Sequence, residues 1–207
     1  MFFDKLLAKQ LGNPSGIIGR WVAAPVWNKR NIALNDVALE NLALSPDDCV
    51  LEIGFGGGYL LGKMSKIVTD GLLAGVDGSQ AMVDYCEKRF RALIRDGWLD
   101  LKCATAESLP YPDAYFTKVC SVNSIFYWHD VPAAFSQVWR VLADGGALVL
   151  CFTCKESLED KSFARQGLVL YDADEVQQMM ESAGFHETRT ISSADRHRKF
   201  LCVVGRK

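Results

Sequence analysis

The sequence has little net charge, few histidines and no long apolar run. Its 207 residues carry a formal charge of −2 and a pI near 5.9. No overall basic field is therefore present to attract a polyanion, and we expect no nucleic-acid partner. No apolar run approaches the roughly 20 residues that a membrane-spanning helix needs, so we expect no stable membrane anchor. The first stretch, MFFDKLLAKQLG, contains Asp4 and lacks the long apolar core of a secretory signal.

The cysteines do not form the pattern of a metal site. The one close pair, Cys151 and Cys154, has no second pair to complete a zinc site. Five cysteines lie in apolar, strand-like runs and are predicted to be buried: Cys49, Cys103, Cys120, Cys151 and Cys202. Buried free thiols are typical of a reducing compartment, so we expect a cytoplasmic protein without metal ligands.

The hydrophobic pattern changes along the chain from helical to alternating. Helical periodicity dominates the first 44 residues, and strand and helix patterns alternate after them. The predicted strands are CVLEI, LLAGVD, WLDLKC, KVCSV and ALVLCF, followed by a closing antiparallel hairpin of HETRTIS and FLCVVGR. A helix is predicted from Tyr59 to about Val68, another is capped by Ser79 and reaches about Ile94, and residues 144–146 are predicted as a turn before ALVLCF. Strands that alternate with helices form mostly parallel sheets covered on both faces. We therefore predict a Rossmann-like α/β fold with a seven-stranded sheet, with residues 1–46 as an N-terminal helical lid and residues 47–207 as one domain.

The Gly-rich stretch LEIGFGGGYLLGKMS includes the end of the first predicted strand and is the strongest sign of a binding site. A nucleotide phosphate loop does not fit, because Lys63 is followed by Met64 where Ser or Thr should hold magnesium. A dinucleotide fingerprint fits poorly, because Tyr59 occupies its third glycine position. At the end of the second strand, Asp77 can accept hydrogen bonds from two ribose hydroxyls of any adenosine cofactor.

Four segments occur in one order with short spacers: VLEIGFGGG, GVDGSQAMV, ATAESLPYPDAYFTKVCSVNSIFYW and VWRVLADGGALVL. Together they resemble the class I S-adenosylmethionine-dependent methyltransferases, from about Asp47 to Phe152. The segment AESLPYPDAYF is specific, because it is similar to the A-E-x-L-P-F-x-D-x-x-F segment common in that family. The resemblance implies S-adenosylmethionine as the cofactor and S-adenosylhomocysteine as the product.

The resemblance also implies a set of donor-binding residues. Glu52 would steady the loop and the donor's amino-acid end, Asp77 would bind the ribose, and Thr105 stands where the family often carries Asp. The glycines would let the backbone approach the donor. The full implied set is Glu52, Gly54, Phe55, Gly56, Gly58, Asp77, Gly78, Ser79, Met82, Thr105, Ala106, Glu107, Asn123 and Ser124.

Candidate acceptor-side residues follow the fourth strand, in FYWHD. His129 is the candidate general base, and Tyr127 is the candidate for shaping the methyl pocket. Alternatively, Asp130 caps the next helix and its neighbours only pack on it. His186 and His197 are poorer candidates, because they are predicted in a strand and in the hairpin turn. Other candidates for acceptor contacts are Trp27, Asn28, Asn31, Trp128 and Tyr171.

We therefore expect methyl transfer to the oxygen, nitrogen or carbon nucleophile of a small-molecule acceptor, by in-line displacement. Two alternatives stay open: an NAD-dependent oxidoreductase, and a non-catalytic S-adenosylmethionine-binding protein of the same fold. The pattern predicts neither the identity of the acceptor nor the oligomeric state.

Overall fold

The structure, a computed structural model, describes residues 31–161, 164 and 168–207, and this part of the chain is built around one seven-stranded sheet. The strands are β1 (Cys49–Ile53), β2 (Leu72–Asp77), β3 (Leu99–Cys103), β4 (Phe116–Val122), β5 (Leu142–Thr153), β6 (His186–Ala194) and β7 (Lys199–Arg206). The helices are α1 (Ile32–Leu42), α2 (Tyr59–Met64), α3 (Gln80–Arg89), α4 (Arg91–Arg95), α5 (Val131–Val141), α6 (Lys155–Leu158) and α7 (Ala173–Ser182), with a 3-10 helix at Ile125–Tyr127. None of the helices in these ranges is long and apolar enough to cross a bilayer.

The sheet order is β3-β2-β1-β4-β5-β7-β6, which confirms the predicted seven-stranded, mostly parallel sheet with a closing hairpin. Strands β1 to β5 are parallel, and β7 runs antiparallel to both β5 and β6. The carboxyl ends of the parallel strands therefore meet at one edge of the sheet. Because Thr153 at the end of β5 pairs with Phe200 near the start of β7, the turn between β6 and β7 lies at that same edge.

Side-chain alternation along the strands divides the core between the two faces of the sheet. On one face, Leu51 and Leu150 pack with Phe135 of α5. On the other face, Val50 packs with Leu34 of α1. Both faces are therefore covered by helices, as the alternating pattern predicts.

Helix α1 belongs to the layer that covers the sheet. It buries Leu34, Ala38 and Leu42, and it contacts β4, β5 and β7. Residues 1–30, which make up most of the predicted lid, lie outside the described residues. Within the described part, Ile32–Leu42 cover the core.

The helix predicted from Ser79 to about Ile94 is divided at Phe90 into α3 and α4. Phe90 leaves helical geometry with φ −109° and ψ 22°, and its ring lies against Gly58 of the Gly-rich loop. Ser79 precedes α3 as predicted, but its side chain makes no capping hydrogen bond. Instead, the backbone N–H of Ser79 donates to the Asp77 carboxylate at 2.9 Å.

Two further predicted boundaries differ. Helix α2 ends at Met64 rather than Val68, because the N–H groups of Lys66 and Ile67 bond to carbonyls three residues back and tighten the chain into turns. Strand β5 begins at Leu142 rather than Ala147. The predicted turn at residues 144–146 is a bulge within it, since Phe116 pairs with Leu142 while Lys118 pairs with Ala147.

The prediction of five buried cysteines is partly wrong. Cys120, Cys151 and Cys202 are buried, but Cys49 is half-buried and Cys103 is exposed. Cys103 ends β3, the edge strand of the sheet, so no neighbouring strand covers it on that side. The sequence pattern predicted strand β3 correctly, but it did not show that β3 lies at the edge of the sheet.

Candidate functional site

A cavity of about 630 Å³ opens beyond the carboxyl ends of the parallel strands. Its size is within the range of about 300–1,000 Å³ that is common for small-molecule sites. Fourteen of the residues predicted from the sequence line it: Asn31, Gly54, Gly56, Asp77, Gly78, Met82, Thr105, Ala106, Glu107, Asn123, Ser124, Tyr127, Trp128 and His129. The fold therefore brings together side chains that are almost 100 positions apart in the sequence.

The Gly-rich loop between β1 and α2 forms the floor of the cavity. Gly54, Gly56 and Gly58 have φ values of +78°, +51° and +68°, which favour glycine. A side chain on Gly54 would begin 2.5 Å from Cβ of Ser124, whereas the space next to Gly56 is open. Gly56 therefore leaves room for a ligand, and Gly54 permits close contact between the loop and the end of β4.

Asp77 connects this loop to β2. Its Oδ2 accepts a hydrogen bond from the N–H of Gly56 at 2.8 Å, and its Oδ1 accepts one from the N–H of Ser79. Burial raises the pKa of the Asp77 carboxyl, and these two N–H groups oppose the rise without cancelling it. Each carboxylate oxygen can accept a second hydrogen bond, so Asp77 can brace the loop and still bind ribose hydroxyls.

Glu52 lies behind the cavity wall. It is 3% exposed, and its Oε2 has no hydrogen-bond partner among the described residues. Burial and the nearby charge of Asp77 raise its pKa to about 8, although the backbone N–H of Leu61 acts in the opposite direction. Glu52 therefore carries a proton at neutral pH in this arrangement, and its support of the loop stays a prediction.

Residues after β3 form the wall next to the second strand. Thr105, Ala106 and Glu107 all border the cavity. Burial acts to raise the pKa of Glu107, but hydrogen bonds from its own backbone, from Thr105 and from the N–H groups of Asp130 and His129 outweigh it and lower the pKa. Glu107 is therefore a charged carboxylate that joins this wall to the segment after β4.

The end of β4 carries a polar network. Asn123, at φ +55°, accepts hydrogen bonds on Oδ1 from the backbone N–H and the hydroxyl of Thr153, at 2.9 and 3.1 Å. Its Nδ2 donates to Asn31 Oδ1 at 3.0 Å. Ser124 accepts from the indole N–H of Trp128 at 3.1 Å and shares a hydrogen bond with Ser121. These contacts fix the side chains that face the middle of the cavity.

The two candidate catalytic residues both border the cavity, with different surroundings. Burial raises the pKa of the Tyr127 hydroxyl, so it stays protonated and can shape the pocket or donate a hydrogen bond. His129 is exposed, and its backbone N–H donates to Glu107 at 2.6 Å. Asp130 caps α5 by accepting from the N–H of Ala133, as the alternative interpretation of this segment expects. A catalytic role for His129 stays a prediction.

Several predicted site residues do not border the described part of the cavity. The side chain of Phe55 is buried and packs under the loop against Gly75 of β2. Ser79 is buried behind Asp77, and Tyr171 packs on the core. Gly58 lies against Phe90 and Cys86 and is not among the residues that line the cavity. Trp27 and Asn28 lie outside the described residues.

Five polar residues on the β5 and β7 side of the cavity were not predicted from the sequence: Thr153, Ser157, Lys161, His197 and Arg198. His197 was rejected because it is in a hairpin turn. The turn borders the cavity because β7 is antiparallel, so it starts where β5 ends. The predicted hairpin contained this signal, since an antiparallel strand next to parallel ones must begin at their carboxyl edge.

Comparisons with known proteins point to one family. The family model described as "Methyltransferase domain" matches residues 51–150. The uncharacterized methyltransferase YdaC of Bacillus subtilis is 30% identical over 156 residues, which cover 73% of this chain and 84% of YdaC. These similarities extend over the Gly-rich loop, Asp77 and the end of β4.

Solved structures share the fold at low sequence identity. A chain from the complex between the Haloferax volcanii Trm112 methyltransferase activator and a methyltransferase superposes with a TM-score of 0.79 at 20% identity, over 89% of this chain and 93% of that one. A SAM-dependent methyltransferase from Aquifex aeolicus gives 0.72 at 19% identity, over 98% of both chains. These comparisons give no support to the NAD-dependent oxidoreductase considered from the sequence.

Proposed function

This chain belongs to the class I S-adenosylmethionine-dependent methyltransferases, and on that premise we propose that its cavity holds the methyl donor beyond β1–β3 and a small-molecule acceptor beyond β4, β5 and β7. The position of Asp77 carries this proposal, because its carboxylate borders the cavity at the end of β2, directly beside Gly56. An acid at this place in an α/β sheet is well placed to bind a ribose.

The donor half of the cavity suits the chemistry of S-adenosylmethionine. Gly56 leaves space for the amino-acid end, and Asp77 and Glu107 offer carboxylate oxygens to hydroxyl and amine donors. Met82 and Ala106 supply an apolar lining for the adenine. Glu52 holds the loop in this shape from behind the cavity wall.

The main contribution of the protein to this reaction is to position the reactants, because the methyl group of the donor is already activated. The donor, when bound, supplies a methyl group on a positively charged sulfur, which is already activated toward a nucleophile. The residues of this chain then have to hold the acceptor in line and keep water out. Tyr127 and Trp128 form an aromatic wall for this purpose, and Asn123 and Ser124 lie between the two halves. We propose His129 as the base for an acceptor that must lose a proton.

The seven free thiols are suited to a reducing compartment, and we propose a cytoplasmic location.

The first test is a calorimetric titration of the purified protein with S-adenosylmethionine, S-adenosylhomocysteine, NAD and ATP. We expect the first two to bind and the last two not to bind. Asp77→Asn should weaken binding about 10- to 100-fold, because a hydrogen bond to a charged group contributes about 1.5–3 kcal/mol. Asp144→Asn is the matched control, since the Asp144 side chain is 99% exposed and away from the cavity lining. Tight binding of NAD, or equal effects of the two substitutions, would contradict the proposal.

A further inference from the structure

Charged side chains in the described cavity lining are separated by sign. The two carboxylates, Asp77 and Glu107, follow β2 and β3. Lys161 follows β5 and α6, while His197 and Arg198 precede β7, so these three lie on the other side of the sheet order. The carboxylates suit the cationic donor. Lys161 and Arg198 are therefore available to the ligand in the other half of the cavity, where the acceptor is proposed to bind.

Arg198 is held in one position by its neighbours. Its Nη2 donates to Asn31 Oδ1 at 2.7 Å, and its Nη1 donates to Thr153 Oγ1 at 3.1 Å. Its Nε lies 3.8 Å from the carboxylate of Asp195, and its side chain is 17% exposed. The same Asn31 oxygen accepts from Asn123, so the guanidinium is joined to the network at the end of β4. Fixed donors bind an anion with little loss of side-chain entropy.

The hairpin turn orients both His197 and Arg198. Asp195 Oδ1 accepts hydrogen bonds from the backbone N–H groups of His197 and Arg198, at 2.7 and 3.0 Å, and its own N–H donates to the carbonyl of Arg198. The Asp195 carboxylate therefore stabilises the backbone of the turn and also faces the Arg198 guanidinium. Its single charge opposes that of Arg198, while His197 Nε2 accepts a hydrogen bond from Arg196 Nε at 2.8 Å.

Lys161 differs from the other lysines near this edge. Lys155 is 3.5 Å from Asp172, and Lys199 is 3.4 Å from Glu156. For Lys161, no carboxylate within the described ranges forms such a pair, and the residue borders the cavity. An anion entering this half would gain a charge-assisted contact from it.

The surfaces beside the basic residues are apolar. Phe126, Leu158 and Leu168 border the same cavity as Tyr127 and Trp128. A ligand in this half would therefore have one end in contact with apolar and aromatic side chains and the other in contact with Lys161 and Arg198.

We propose that this half of the cavity is an anion site formed by Lys161 and Arg198, with the His197 imidazole beside them, and that the methyl acceptor joins an apolar body to a carboxylate or phosphate group. That the bound anion is the methyl acceptor rests on the proposed function. The anion site itself does not depend on it. The negative group would lie against the hairpin turn, which leaves the apolar body directed toward the methyl group.

The test is a titration of three matched probes, followed by calorimetry: benzoate, phenyl phosphate and the neutral benzamide. Each probe is added to the free protein and to the protein saturated with S-adenosylhomocysteine. We expect at least one of the two anions to bind and benzamide to bind at least about tenfold more weakly. A preference for benzoate would identify a carboxylate acceptor, and a preference for phenyl phosphate would identify a phosphate acceptor.

Substitutions at Lys161 and Arg198 test whether these residues bind the anion. Lys161→Gln should weaken anion binding about tenfold, while Lys155→Gln, in the same region of the surface, should leave it unchanged. Arg198→Gln should weaken anion binding as well, with the affinity for S-adenosylhomocysteine retained as the check that the cavity is intact. Equal binding of benzamide, or equal effects of Lys161→Gln and Lys155→Gln, would overturn the proposal.

A third result would also overturn it. If Arg198→Gln weakened S-adenosylhomocysteine and left the anions unaffected, the basic residues would serve the carboxylate of the donor. Failure of S-adenosylhomocysteine to bind, with the anions still bound by the free protein, would instead contradict the proposed function and support the anion site.

Discussion

Glu52 carries a buried carboxyl group near the end of β1. Its Oε2 has no hydrogen-bond partner among the described residues, and the nearby charge of the acid Asp77 acts on it. A charge at this point is costly, because burial removes the water that would stabilise it. The residue that the family resemblance assigns to loop support is therefore also a source of pH dependence in stability.

The pKa of Glu52 gives the sign of that dependence. Burial raises it from 4.5 to about 8 in the folded protein, so the folded state holds a proton that the unfolded chain releases. The free energy of unfolding should then fall as pH rises from about 4.5 to about 8. Glu52→Gln keeps the shape and removes the charge, so it should reduce this fall and raise stability at pH 8 by a few kcal/mol. Urea denaturation at several pH values measures the effect.

Glu156→Gln is the control for that experiment, since the Glu156 side chain is 75% exposed. The raised pKa of Asp77 acts with the same sign and remains in the Glu52→Gln variant. A reduced slope, and not a flat profile, is therefore the expected result. An unchanged slope would mean that Glu52 is already ionised in the folded protein at neutral pH.

The Gly-rich loop and helix α3 form a packed pair of elements. A Cβ on Gly58 would lie 2.6 Å from the Phe90 ring and 2.9 Å from the Cys86 sulfur. Gly58→Ala should therefore combine the penalty of a positive φ with that of overpacking, for a loss of about 2–4 kcal/mol of unfolding free energy. Chemical denaturation measures the loss. The affinity for S-adenosylhomocysteine should change less than the stability, because Gly58 is not on the described cavity wall.

Gly97→Ala is the matched control for Gly58→Ala. Gly97 also has a positive φ, +80°, but nothing lies within 4 Å of a Cβ placed on it. Its substitution should cost about 1 kcal/mol from backbone strain alone. Equal losses in the two variants would show that Phe90 moves aside freely and that packing at Gly58 contributes nothing.

Elements were predicted well where a regular pattern was long. All seven strands occur, and α5 and α7 begin after the acids Asp130 and Asp172. The errors are at places where a contact from another element decides the backbone. The break at Phe90 and the bulge in β5 at residues 144–146 belong to this class. A local window of sequence contains neither the neighbouring loop nor the partner strand.

Binding of the donor product S-adenosylhomocysteine should stabilise the whole molecule against unfolding. A ligand that binds the folded state alone stabilises it by about 2.7 kcal/mol when its concentration is 100 times its Kd. The product S-adenosylhomocysteine contacts elements from β1 to β3 in the proposed site, so the entire unfolding transition should shift to higher urea concentration. The same concentration of NAD serves as the control, and an equal shift with NAD would contradict the proposed donor site.

The residues proposed for the donor half could be predicted to lie together, because they follow consecutive strands in the sequence. Gly54 and Gly56 follow β1, Asp77 ends β2, and Thr105 follows β3. Parallel strands connected by helices place such loops at a common edge, so order along the chain is enough to bring them together. In the acceptor half, the antiparallel pairing of the predicted hairpin places the turn that carries Arg198 at the same edge. No comparable rule applies to Asn31 and Lys161, which come from a helix entry and an irregular segment.

The sequence by itself determined the fold class, the methyltransferase family and most of the residues proposed to bind the donor, because hydrophobic period and glycine and acid positions are local properties of the chain. The tertiary structure alone decided which charges share the cavity. It placed the antiparallel β7 beside β5, and so brought Arg198 to within hydrogen-bonding distance of Asn31 and Thr153. It also buried Glu52 beneath the loop while leaving Cys103 exposed. Burial and charge pairing depend on what the other elements cover, and that is fixed only when the sheet assembles.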